Sequence, residues 1–389
     1  MGLFYRLENT MDTTQAWLLL TQTKGLGTAR IKMLLDYYND ASAIFKQRHF
    51  PNELKIPQAV QQSLKNPDFD TIKQDLYWLE KEGNSVLTLN DDLYPPLLKQ
   101  TDSPPPLLYI TGNPQVLLQA QLAVVGSRNA SAVGLKNTHA FCYDLAKNGL
   151  VITSGMALGV DGAAHAAALK ANGITIAVMG TGLDSVYPPR HRDLAHQIAE
   201  KGALVSEFAI GTKPNAYNFP RRNRIICGLS LGTLVMEASV KSGTLITARQ
   251  TMEINRPVMA IPGSIHSPMV KGCHLLIKQG AKLVESAQEI LEELTPLAAS
   301  LSMQIKQKLA NLDSNTEAKN EAITDTLQEN EEISSQHQRV LECIQYEATS
   351  LETIMQKSAC NAQEIASILL ILELENKIQT MPGAHYIRI

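Results

Sequence analysis

Between Gln121 and Leu283, short β-branched runs alternate with helical stretches, and no other feature restricts the possible folds of this chain as tightly. The strands read as Leu122–Val125, Leu150–Thr153, Thr175–Val178, Leu204–Ser206, Leu234–Met236, Val258–Ile261 and Lys282–Val284. Strand and helix in regular turn predict an α/β fold, an extended Rossmann-like and mostly parallel sheet with helices on both faces. In such a sheet, ligands bind beyond the carboxyl ends of the strands. Glycines and polar residues directly after each strand are therefore the candidates.

Several such turns are present. Gly126-Ser127-Arg128 follows the first strand, and Ser154-Gly155 follows the second, ahead of a helix through Asp161 and His165. Gly180-Thr181-Gly182 follows the third, Phe219 to Arg224 lies beyond the fourth, and Lys241-Ser242-Gly243-Thr244 lies beyond the fifth. Helix N-termini offer unpaired N–H groups, glycine admits a phosphate close to the backbone, and arginine adds a bidentate fork. From Lys213 to Arg256, seven basic residues stand against two acidic ones, in a chain of formal net charge -3. The overall charge excludes a globally basic nucleic-acid coat but leaves room for a local basic site. Aromatics are 5% of the chain, too few for a long stacking groove.

Absences narrow the chemistry. There is no Gly-Lys dipeptide and hence no Walker A loop, and no HExxH occurs. Ser185 stands where a dinucleotide fingerprint starting at Gly180 needs its third glycine. Asp161 and His165 share a helical face, a spacing that suits packing or hydrogen bonding better than metal binding. No cofactor or metal is expected. Phosphates held by several spaced cationic turns point to a polymer, an extended single strand lying along the rim of the sheet.

Taken together, the stretches AVVGSRNASAVG (123–134), VITSGMALGVDGAAHAAAL (151–169), VMGTGLDSVYP (178–188), NFPRRNRIICGLS (218–230), SGTLITARQTME (242–253) and AIPGSIHSPMVKGCHLLIKQGAKLV (260–284) resemble the DprA family, also called Smf. The resemblance covers residues 90–285. It implies a non-enzymatic protein that binds single-stranded DNA, protects incoming transforming DNA, and loads the RecA recombinase in the presence of single-strand-binding protein. It also implies a homodimer built around the GCHxLI helix and the strand after it, here His274 and Leu283. Carried over by position, the DNA contacts are Arg128, Lys213, Phe219, Arg222 and Arg224. Arg190, Lys241, Gly126, Ser127, Ser154, Gly155 and Gly243 complete the expected site. Two family positions depart: Pro189 replaces a lysine, for which Arg190 substitutes, and Ala216 replaces a basic residue, leaving Lys213 nearest.

An enzymatic alternative comes from Ser230 to Glu237, which resembles the glycine-rich loop of nucleotide phosphoribohydrolases, with Glu237 catalytic. Leu229 and Ser230 stand where that loop has its leading glycine pair, and Glu237 reads equally well as a packed ion pair.

The flanks organise the remainder. Residues 1–115 read as helical and irregular, with Lys24-Gly25-Leu26-Gly27 as the turn of a helix-hairpin-helix or sterile-alpha-motif-like domain. Residues 116–290 form the Rossmann-like domain. Residues 291–335 read as an acidic flexible linker, and residues 336–389 as a winged-helix-like unit. Within that unit, the helix expected at Asn361–Glu375 carries three glutamates and no Lys or Arg, which suits protein contacts better than a DNA groove. Five cysteines without a CxxC, no apolar signal core before Gln15 and no membrane span fit a cytoplasmic protein, starting at Met1 or Met11.

Overall fold

Every strand expected from the alternation is present in the computed structural model, which describes residues 11–317, 340–344, 349–358, 365, 368–369, 372, 377–381 and 385–388. These strands are β3 (Gln121–Val125), β4 (Val151–Ser154), β5 (Thr175–Val178), β6 (Ala203–Ser206), β7 (Gly232–Val235), β8 (Val258–Ala260) and β9 (Lys282–Leu283). Two more, β1 (Asn84–Thr88) and β2 (Leu107–Gly112), extend the sheet from within the stretch read as helical and irregular, and correct that reading. The order is β1-β2-β6-β5-β4-β3-β7-β8-β9. From β6 to β9 all neighbours are parallel, while β2 pairs antiparallel with β6 and with β1. The chain runs outward from β3 to β6, then crosses to the other side of β3 for β7, β8 and β9. The carboxyl end of β3 is therefore the topological switch point, where a crevice opens between diverging connections.

The described helices are α1 (Thr13–Gln22), α2 (Thr28–Tyr38), α3 (Ala41–Phe45), α4 (Gln58–Lys65), α5 (Lys73–Leu79), α6 (Pro96–Lys99), α7 (Ala132–Lys147), α8 (Val160–Lys170), α9 (Arg192–Lys201), α10 (Asn218–Leu229), α11 (Thr244–Glu253), α12 (Lys271–Lys278) and α13 (Ala287–Glu317). Alternation along each strand sends successive side chains to opposite faces. Ala123 and Val125 join one buried cluster with Ile225, Ile226, Leu245 and Leu276 of α10, α11 and α12. Leu122 and Val124 join another with Cys142, Leu145, Ala164 and Ala167 of α7 and α8, and Ile290 and Leu294 of α13. Burial on both faces explains why these strands read as nearly continuous apolar runs. Each buried Leu, Ile or Val contributes about 1.5–3 kcal/mol.

At the N-terminal side, the expected helix, turn and helix are α1 and α2. Asp12 and Gln15 form a reciprocal capping box, and Gly25 takes a positive φ of 80° in the turn. Trp17, Leu18 and Leu20 pack into the cluster that also holds β1 and β2 residues. α13 continues to Glu317, so the expected linker begins as helix, and its remainder, 318–335, lies outside the described residues.

The C-terminal unit has its own cluster around Val340, Ile354, Ile365 and Ile378. Its sheet, β10 (Thr349–Ser350), β12 (His385–Arg388) and β11 (Ile378–Met381), contains the expected hairpin. The helix expected at 361–375 lies outside the described residues except at 365, 368, 369 and 372. Among the described residues no helix is long and apolar enough to cross a membrane.

The antiparallel junction is tight. Gly112 sits at φ 109°, and a Cβ there would lie 2.5 Å from the Gly202 carbonyl oxygen. Gly112→Ala is expected to cost roughly 1–3 kcal/mol or more, since strain and a backbone clash add. Thermal unfolding checks it, and an unchanged Tm would show that the β2–β6 junction yields without cost.

Candidate nucleic-acid interface

A cavity of about 700 Å³ opens at the switch point. One wall is Gly126-Ser127-Arg128 after β3, and the facing wall is Ser242-Gly243-Thr244 at the start of α11. Ala157 and Asp161 before and within α8 contribute, as do Pro214, Asn215 and Ala216, then Phe219 and Arg222 of α10. Glycine lets these loops cross. A Cβ on Gly126 would meet Val160 at 2.5 Å, and one on Gly159, already at φ 76°, would meet the Ser127 carbonyl oxygen at 2.3 Å. The Val160 N–H donates to that same carbonyl at 3.1 Å. Helices α8 and α10 begin at this cavity without a side-chain cap, whereas at α11 the Ser242 hydroxyl accepts the Thr244 N–H at 3.2 Å and the Ser242 and Gly243 carbonyls accept those of Leu245 and Ile246.

Cation and aromatics meet on the rim. The guanidinium of Arg128, an exposed residue, lies 5.4 Å from the centre of the Phe219 ring. Tyr187 lies against the same ring, with centroids 5.8 Å apart at 37°. Gly180 is the seat of the ring, since a Cβ there would come within 2.9 Å of it, and Asn218 Nδ2 donates to the Gly180 carbonyl at 3.1 Å. The Gly-Thr-Gly turn and the Asn-Phe pair are thus two halves of one contact. Tyr187 carried no assignment from sequence, although it stands in a quoted motif of an aromatic-poor chain.

Arg222 is only 4% exposed, which corrects its expected role as a free phosphate fork. Its Nη1 donates to the carbonyls of Gly155 and Val178, at the ends of β4 and β5. Gly155 is glycine because a Cβ would press on that guanidinium at 2.5 Å. Burial lowers the Arg222 pKa to about 10; Asp161 opposes the shift and Arg128 adds to it. Asp161 accepts the Ala157 N–H at 3.2 Å, and burial raises its pKa against the pull of Arg222.

Ser154 is likewise buried, with its hydroxyl given to the Val124 carbonyl at 2.6 Å, so it is no ligand contact. Arg224 points elsewhere, bonded to Glu207 and to the Ser103 carbonyl. Sequence reading grouped Arg222 with Arg224, but residues two apart on a helix do not share a face, and α10 already starts at Asn218. Lys213, Arg190 and Lys241 are exposed, and Lys213 and Lys241 each directly precede a wall of the cavity.

Glu237, the residue of the enzymatic alternative, has a structural role. Its two carboxylate oxygens accept the N–H and hydroxyl of Ser131, the N-cap of α7, at 2.8 and 2.5 Å. Among the described residues no group of three or more His, Cys, Asp or Glu is placed to hold a metal. His274 Nε2 donates to the Gly263 carbonyl at 3.1 Å, and Leu283 is 43% exposed on the edge strand β9.

His165 answers the question its spacing raised. The Thr175 hydroxyl donates to the Ile152 carbonyl and so accepts from His165 Nδ1 at 2.7 Å, which places a proton on Nδ1. Burial first, then the charges of His191 and Arg222, lower its pKa from 6.5 to about 3. The unfolded imidazole takes a proton below its ordinary value while the folded one does not. Stability is therefore fully present above pH 6.5 and is lost as pH falls toward 3, by at most about 1.4 kcal/mol per pH unit from this group. Tm measured against pH is expected to show this acid limb, and His165→Asn to flatten it. An unaltered limb in the variant would assign the loss to other groups.

Comparison with known proteins follows the same residues. The family described as DNA recombination-mediator protein A matches residues 85–295, and the DprA winged helix domain matches residues 324–384. Protein Smf of Escherichia coli K12 is 40% identical over 320 residues, 82% of this chain and 81% of that protein. DNA processing protein DprA of Streptococcus pneumoniae is 47% identical over 203 residues, 52% of this chain and 72% of that protein. The X-ray structure of the S. pneumoniae protein superposes with a TM-score of 0.63 at 37% identity, covering 73% of this chain and 99% of that one. DNA processing protein A of Helicobacter pylori, whose structure is described for its single-stranded DNA binding mode, gives a TM-score of 0.50 at 29% identity, covering 55% and 96%.

Proposed function

The chain belongs to the DprA/Smf family of DNA recombination-mediator proteins, and on that footing we propose that its switch-point cavity clasps single-stranded DNA. The observation that carries this reading is the Arg128–Phe219–Tyr187 array on the rim of the cavity. Such a surface offers what a nucleotide chain needs. N–H groups and Arg128 meet phosphates, and the rings stack on bases whatever their sequence. The single-stranded DNA binding described for the H. pylori relative supports single-stranded DNA as the ligand class. Arg222 supplies charge from the floor without leaving its carbonyls, and Lys213, Arg190 and Lys241 carry further positive charge around the mouth.

The proposed role is binding without turnover. DNA held this way is protected and handed to RecA in the presence of single-strand-binding protein. We further propose a homodimer through the β9 edge near His274 and Leu283, a cytoplasmic setting, and a winged-helix unit that recruits protein partners.

Binding of a labelled oligothymidylate tests the clasp. Phe219→Ala is expected to cost about 1–3 kcal/mol of affinity, the usual worth of one stacked base. Arg128→Ala is expected to weaken binding about tenfold and to reduce the salt slope by roughly one phosphate. Arg224→Ala, bonded away from the cavity, serves as the near-neutral control. Wild-type affinity in both Phe219→Ala and Arg128→Ala would sink the assignment.

A further inference from the structure

One wall of the cavity is the segment Pro214–Ala216, and it leaves a turn that is gripped from two sides. On one side Asp184 Oδ1 accepts the Gly211 N–H at 2.9 Å, and the Gly182 N–H donates to the Thr212 carbonyl at 3.0 Å. On the other side stands Asp75 of α5, a carboxylate only 1% exposed. Its Oδ1 accepts the Ile210 N–H at 3.1 Å, and its Oδ2 accepts Nε2 of Gln22, the last residue of α1, at 2.9 Å. Gly211, at φ 84°, faces Gln74, whose amide oxygen a Cβ would approach within 2.7 Å.

We propose that Asp75 is a positioning residue, through which the N-terminal helices set the turn that carries the Pro214–Ala216 wall of the cavity. A buried acid is rare unless paired, and this one has no cationic partner among the described residues; it is spent on a backbone amide 135 residues further on. Burial and then Asp75 hold the Tyr109 phenol well above its ordinary range. A carboxylate binds an N–H more strongly than a neutral acceptor does, so the contact fixes where the turn sits. Without it the Ile210 N–H and the Gln22 amide lose their acceptor, and the turn moves to find another.

The inference rests on the DNA reading only for its functional readout, so two measurements are made on the full chain. One is amide exchange over residues 208–217, and the other is oligothymidylate affinity. Asp75→Ala is expected to speed exchange at Ile210 and Gly211 at least about tenfold and to weaken binding roughly five- to tenfold. Asp75→Asn, which keeps an acceptor for Ile210, should recover most of both. Leu64→Ala, a core truncation in α4 away from the turn, controls for general destabilisation and should leave both near wild type. Unchanged exchange in Asp75→Ala, or equal effects from Leu64→Ala at matched Tm, would overturn the proposal. Altered exchange in a protein whose wild type fails to bind the oligonucleotide would uphold the positioning and remove the DNA reading instead.

Discussion

Arg222 sits beneath the cavity with its guanidinium against the carbonyls of Gly155 and Val178, where two parallel strands end. Carboxyl ends of parallel strands expose carbonyls that no helix begins upon, and buried carbonyls demand donors. One planar cation satisfies two of them and ties β4 to β5. Burying it costs free energy, visible as the lowered pKa, and Asp161 offsets part of that cost. The arrangement fixes its neighbours: position 155 has no room for a side chain, and Asp161 must lie in the first turn of α8. The floor of the cavity therefore follows from satisfying one buried charge.

Placement of the acids shapes the rim as much as placement of the bases. Glu237 closes on the N-cap of α7, and Glu207 closes on Arg224. Both are nearly buried, and each is engaged away from the cavity, Glu237 with Ser131 and Glu207 with Arg224. α7 is capped by Ser131 and the first N–H of α11 by the Ser242 hydroxyl, whereas α8 and α10 have no side-chain cap.

The N-terminal helices and the sheet share one hydrophobic cluster, with Trp17 and Leu64 in the same contiguous core as Val178 and Val205. β1 and β2 draw the region onto the sheet beside β6, and the polar links of Asp75 run the same way. A helical region joined this closely has the means to influence the geometry of the cavity, and the Ile210 contact is where it touches the relevant loop.

The parallel sheet is written in the order of amino acids, because strands buried on both faces must be short apolar runs and helices must separate them. That order also points to the strand ends as the candidate site, since ligand loops follow them, and the Gly-Ser-Arg and Asn-Phe motifs meet there. β1 escaped because Asn84 and Ser85 dilute its apolar character at the sheet edge, and β2 because prolines crowd its start at 104–106. Which arginine faces the cavity was decided only in three dimensions. Arg222 and Arg224 are chemically identical, and only the phase of α10, set by Ile225, Ile226 and Leu229 turning into the core, sends one under the cavity and the other to Glu207. The fate of Glu237 was settled the same way, because its partner Ser131 lies 106 residues away and meets it only once β3 and β7 pair. Residue type and local period are written in the chain, whereas the partner of a buried charge is chosen by packing.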